Sequence, residues 1–96
     1  MRRRNRRRIN YKFNEIYFKP RGIPLNQLLE SVITFEELEV LRLRYIKDLD
    51  QEIAAKKMGI SQSQYQRDLS HALKKISIAL IEGNAIKIER PIAKRK

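Results

Sequence analysis

Apolar residues recur along this chain with two different periods. Leu25, Leu28, Leu29 and Val32 stand at helical spacing and predict a first short helix over Leu25–Val32. Phe35, Leu38, Leu41 and Tyr45 predict a second over Phe35–Lys47. Thr34 and Glu37 have capping-box spacing at its start, and Ile33 with Leu38 makes a hydrophobic staple. Asp50 is placed to cap a third helix, Gln51–Met58, which Gly59 ends. Tyr65, Leu69, Ala72, Leu73, Ile76 and Leu80 form the stripe of a fourth, Gln62–Glu82. That helix opens on a second capping box, Ser61 with Gln64, and a second staple, Ile60 with Tyr65. Gly83 and Asn84 stop it.

The period changes to two at both ends. Ile9, Tyr11 and Phe13 alternate with Asn10, Lys12 and Asn14, and Ile86 and Ile88 alternate with Lys87 and Glu89. Each pattern predicts a short strand, and the two strands need partners, either each other or a second copy. Pro20, Gly22 and Pro24 mark a turn. The expected architecture is all-α: a bundle of four helices with short terminal strands. Residues 1–8 are expected to form a basic disordered tail and 9–96 one domain.

The third and fourth helices are separated by Gly59, Ile60 and Ser61 alone, the spacing of a helix-turn-helix over about residues 50–73. Ala55, four residues before Gly59, suits a close helix crossing where a larger side chain would clash. Ile53, Met58, Ile60, Tyr65 and Leu69 supply the shared core.

Charge then narrows the function. The 96-residue chain carries 22 Lys and Arg against 11 Asp and Glu, a net charge of +11. Self-repulsion of that size calls for a polyanionic partner, and DNA, RNA and an anionic membrane surface are the candidates. The six arginines Arg2, Arg3, Arg4, Arg6, Arg7 and Arg8 are concentrated at the amino terminus. There is no cysteine, which excludes disulfides, thiolate catalysis and cysteine-ligated zinc. The charged amino terminus lacks a following apolar h-region, and the longest apolar stretch is Ile78–Ile81. A cytoplasmic protein with no membrane partner is expected.

On the fourth helix, Gln62, Ser63, Gln66, Arg67, Ser70 and Lys74 oppose Tyr65 and Leu69. The amino-terminal turns of a recognition helix are where base edges are met, and Gln reads adenine while Arg reads guanine. Gln62, Ser63, Gln66, Arg67 and Ser70 are therefore the candidate base readers. Asp68 should project to the flank. Gln64, tied by its capping box, ranks as a backbone contact. Gln51 joins it because helix amino termini attract phosphate, and so do Lys74 and the six arginines of the tail. Arg42, Lys56 and Lys57 are further candidates for backbone contact.

The segments Glu39–Tyr45, Gln51–Ala54, Met58–Ser61 and Ala72–Ile76 resemble the fourth region of sigma factors, which binds promoter DNA through a helix-turn-helix. Phe18-Lys19-Pro20, Gly22–Leu25, Leu41–Leu43, Gln51, Ala54-Ala55 and the ending Gly83–Ile88 are similar to a family of small prokaryotic DNA-binding proteins of unsettled function, domain of unknown function one-three-four (UPF0251-type). That family usually has Arg in place of Gln62 and Thr-Phe in place of Gln64-Tyr65. The resemblance implies a sigma-like helix-turn-helix without the rest of a sigma factor.

An enzyme is not expected. His71 is the only histidine, and the acids Glu30, Glu36, Glu37 and Glu39 sit near a helix start, where they complement the dipole. No cofactor or metal is called for. The expected function is sequence-specific binding of duplex DNA in transcriptional regulation. Two alternatives stay open: RNA binding, and a protein-interaction module contacting the transcription machinery. Ile78 and Ile81 lie off the main stripe of the long helix, as a second contact surface would. A homodimer and RNA polymerase are the protein partners this reading allows.

Overall fold

A computed structural model describes residues 7–90 of the chain. Its elements run β1 (Ile16–Phe18), a turn of 3-10 helix (Leu25–Gln27), β2 (Glu30–Thr34), α1 (Phe35–Leu41), a π-helical turn (Arg42–Ile46), α2 (Gln51–Met58), α3 (Gln62–Glu82) and β3 (Ala85–Glu89). This is three helices and a three-stranded mixed sheet, which corrects the expectation of an all-α four-helix bundle. The strand order is β1-β3-β2. Strand β3 pairs antiparallel with β1, Ile16 opposite Ile88, and parallel with β2, Ile33 opposite Ile88.

The helix expected over Leu25–Val32 does not form. Leucines at helical spacing imply one buried face, yet Leu25 and Leu29 are 59% and 73% exposed. The following Glu30–Thr34 contains Val32, Ile33 and Thr34 in succession, a β-branched run that favours extended backbone. Pairing with β3 decides the matter, since it bonds one edge of this segment's backbone and Ile33 is buried there. The expected terminal strand at Ile9–Asn14 is also displaced, because pairing with β3 begins only at Ile16. Tyr11 and Phe13 instead stack at 4.8 Å, and Phe13 reaches Phe35 at 5.9 Å. The carboxy-terminal strand read from Ile86 and Ile88 is present as β3, and it pairs within the chain.

The helices from Thr34 onward follow their local signals. Thr34 and Glu37 exchange both bonds of the capping box, Glu37 N donating to Thr34 Oγ1 at 3.2 Å and Thr34 N to Glu37 Oε1 at 3.0 Å. Lys75 on α3 then donates to Glu37 and to the Val32 carbonyl, tying α3 to β2 and α1. Asp50 caps α2 by accepting from Ile53 N at 3.0 Å. The helix predicted over Phe35–Lys47 changes to π winding at Arg42, and Lys47 N closes that turn on Arg42 O.

The main core lies where α1, α2 and α3 meet: Val40, Leu43, Ala54, Ala55, Met58, Tyr65 and Leu69. Tyr65 is fully buried and donates its hydroxyl to the Val40 carbonyl at 2.6 Å. Glu39 is buried too. Arg42 clamps its carboxylate with bonds of 2.8 and 3.0 Å, and Asn10 N donates to it at 3.1 Å. This bonding holds the Arg42 guanidinium above its ordinary pKa.

Candidate nucleic-acid interface

The turn between α2 and α3 fixes how the long helix is presented. Gly59 has φ +72°, the left-handed region, and its N–H closes back on the Ala55 and Lys56 carbonyls. Ile60 N also reaches the Ala55 carbonyl, at 3.1 Å. Ser61 then caps α3 by accepting from Gln64 N at 3.0 Å. With Ala55 buried against this turn, the two helices share one core and α3 turns its opposite side outward.

That outward side carries the predicted readers. Ser63, Arg67, Ser70 and Lys74 follow one another at spacings of three and four, so they form one exposed stripe. Gln66 is exposed on one flank of it, and Gln62 is exposed in the first turn. His71 is exposed on the other flank. A shallow surface depression is lined by Ser63, Gln66, Arg67 and Ser70 together with Gln64, Asp68 and His71. Gln51 is half-buried in the first turn of α2, while Lys56 and Lys57 are exposed. Arg42, a candidate backbone contact, is committed to Glu39 and lies over the Tyr11 ring at 5.0 Å.

Two readings of the sequence need correction here. Gln64 does not complete a capping box, because its side chain turns away from the helix start. Its Nε2 donates to Asp68 Oδ1 at 2.8 Å, and its Oε1 accepts from the Arg67 NH2 group at 3.0 Å. Arg7 and Arg8, assigned to the disordered tail, make defined contacts with the two-helix unit. Arg8 N donates to the Met58 carbonyl at 2.9 Å. Its guanidinium covers Gly59 so closely that a Cβ there would lie 2.7 Å from the nearest nitrogen. Arg7 Nε donates to Asp68 Oδ2 at 2.8 Å, and the side chains of this pair are only 19% and 17% exposed. The hydrogen bond to Asp68 keeps the Arg7 guanidinium above its ordinary pKa despite the opposing effect of partial burial. Arg2, Arg3, Arg4 and Arg6 lie outside the described residues.

Sequence reasoning missed the Arg7–Asp68 pair. Its members are 61 positions apart, and no local pattern joins them. The one available signal was an acid on an otherwise basic and polar helix face.

Among the described residues, no group of three or more His, Asp and Glu side chains could hold a metal ion, and no helix is long and apolar enough to cross a membrane. The chain matches the model of the family described as protein of unknown function DUF134 over residues 1–93. It is 47% identical over 83 residues to a UPF0251 protein of Methanosarcina acetivorans, covering 86% of this chain and 74% of that one. A UPF0251 protein of Desulforudis audaxviator is 45% identical, with 86% and 54% covered, and one of Clostridium botulinum is 46% identical, with 85% and 52% covered. The chain thus spans about half the length of the last two relatives. No solved structure matches it.

Proposed function

The chain belongs to the DUF134 family of proteins of unknown function, and from that premise we propose that it binds duplex DNA sequence-specifically, with α2 and α3 acting as a helix-turn-helix and α3 as the recognition helix. Transcriptional regulation is the role this supports. The observation that carries the reading is the outward stripe of α3. Ser63, Arg67, Ser70 and Lys74, flanked by Gln66, offer donors and acceptors suited to base edges and phosphates on a helix held rigidly by its opposite face. The single acid beside this stripe in the first half of the helix, Asp68, is neutralised by Arg7. In this reading Gln62, Gln66 and Arg67 contact bases. Gln51 and Lys74 contact phosphates, and Arg2, Arg3, Arg4 and Arg6 add affinity that does not depend on sequence.

Selection from a random duplex pool tests this, followed by competition with structured RNA. Enrichment of a defined site that RNA does not displace supports it. Failure to enrich any site, with RNA competing equally, overturns it in favour of RNA binding. The contribution of the arm is read from a salt series. Deleting residues 1–6 removes four arginines and should flatten the dependence of log Kd on log salt by up to about 3.6, at roughly 0.9 per phosphate contact. A protein-contact role rests on a different place, the far end of α3, where Leu80 and Ile81 are 73% and 84% exposed.

A further inference from the structure

Asp68 is at odds with the surface around it. A carboxylate beside a DNA-facing stripe repels phosphate, and the rest of the chain is strongly basic. The structure shows what the carboxylate holds in return. Asp68 Oδ2 accepts from Arg7 Nε, Asp68 Oδ1 accepts from Gln64 Nε2, and Gln64 Oε1 accepts from the Arg67 guanidinium. The order of donors and acceptors in this chain has only one solution. A carboxylate can only accept and a guanidinium can only donate, so the Gln64 amide must turn its NH2 to Asp68 and its oxygen to Arg67. Charge assistance at both ends strengthens the bonds. Arg67 has five N–H donors, and the relay engages one of its nitrogens, so others remain for a base edge.

We propose that Asp68 is a positioning residue for sequence reading: through Gln64 it orients Arg67, and through Arg7 it docks the amino-terminal segment along the flank of α3. This rests on the duplex-DNA reading above. Arg8 is the second anchor of the docked segment, seated on Gly59 and bonded to the end of α2. Base reader and arm therefore share one carboxylate. Losing it frees Arg67 to sample other rotamers and removes the hydrogen-bonded carboxylate that holds Arg7 against α3, leaving the weaker attraction of Glu36.

The test measures Kd for the selected site and for random duplex, across a salt series, with the 96-residue wild-type chain, Asp68→Ala, Gln64→Ala and the double variant. Asp68→Ala, which removes both acceptor oxygens, should lower the ratio of specific to random affinity roughly tenfold, the effect of loosening one bidentate base contact. It should also steepen the salt slope by up to about 0.9, the full value corresponding to Arg7 exchanging Asp68 for a phosphate against the remaining pull of Glu36. Gln64→Ala should lower the ratio similarly and leave the slope unchanged, because Arg7 stays on Asp68. The double variant should lower the ratio no further than either change alone, since both break one relay. A role confined to folding would move melting temperature and not the slope. If Asp68→Ala raises affinity for both duplexes by the same factor and Gln64→Ala leaves the ratio intact, Asp68 is only a repelling charge. The proposal is then overturned while the DNA reading stands. A wild type that prefers no duplex overturns that reading, and this proposal with it.

Discussion

Replacing Tyr65 by Phe removes one oxygen from the most enclosed part of the helical core. The hydroxyl donates to the Val40 carbonyl at 2.6 Å, and the whole side chain is buried. The ring of Phe fills nearly the same space, so the loss is the hydrogen bond, with the Val40 carbonyl left without this donor. Stranding a buried polar group costs about 1–3 kcal/mol. For a domain of this size each kcal/mol corresponds to roughly 4–8 °C in Tm, so Tyr65→Phe should melt on the order of 10 °C below wild type. The same hydroxyl gives an independent readout in pH. Burial, the larger cause, pushes the Tyr65 pKa up to about 12, although the nearby Arg44 opposes it. A pKa raised in the folded state means that this contribution to stability is complete below the unfolded value of about 10 and is lost as pH climbs toward about 12. Two pKa units correspond to about 2–3 kcal/mol at most, which is the cost of ionising the buried phenol and is separate from the worth of its hydrogen bond. Urea unfolding followed by circular dichroism from pH 8 to pH 12 measures both effects. Wild-type stability should fall between about pH 10 and 12, and Tyr65→Phe should be less stable at neutral pH and lose part of that fall. A variant as stable as wild type at neutral pH, with an unchanged alkaline profile, would refute the argument that this bond is both buried and needed.

Ala55→Leu should destabilise the protein by roughly 1–3 kcal/mol through overpacking where α2 meets α3, a loss visible as a lower Tm. Arg42→Met strands the buried Glu39 carboxylate and should cost about 3–5 kcal/mol in denaturant unfolding, with Glu39→Gln in the same background recovering part of it. Gly59→Ala should cost about 1–2 kcal/mol for its left-handed backbone. It should also unseat Arg8, seen as faster tryptic cleavage after Arg7 and Arg8, whereas Arg8→Ala alone should leave the backbone cost absent. Arg67→Ala should reduce discrimination between selected and random duplex by about 1–3 kcal/mol, and an equal loss on both would make Arg67 a phosphate contact.

Much of this molecule is legible because its signals are local. The bounds of α2 and α3 come from Asp50, Gly59, Ser61 and Gly83, each acting within a few residues through a side-chain cap or a left-handed backbone. The exposed stripe follows from the same helical period that buries Tyr65, Leu69 and Ala72. Local rules lose their grip where two conformations satisfy the same pattern. Leucines from Leu25 to Leu29 fit a helix as well as a turn entering a strand, and only the presence of β3, more than fifty residues on, makes the strand the better choice. Arg7 and Arg8 are alike part of a charge run in sequence, and only folding brings Asp68 and Gly59 beneath them. The π-helical turn at Arg42–Ile46 has the composition of an ordinary helix. Caps and periods are thus set by neighbours along the chain, whereas strand choice and the Asp68 relay depend on groups that meet only when loop closure has been offset by the core they enclose.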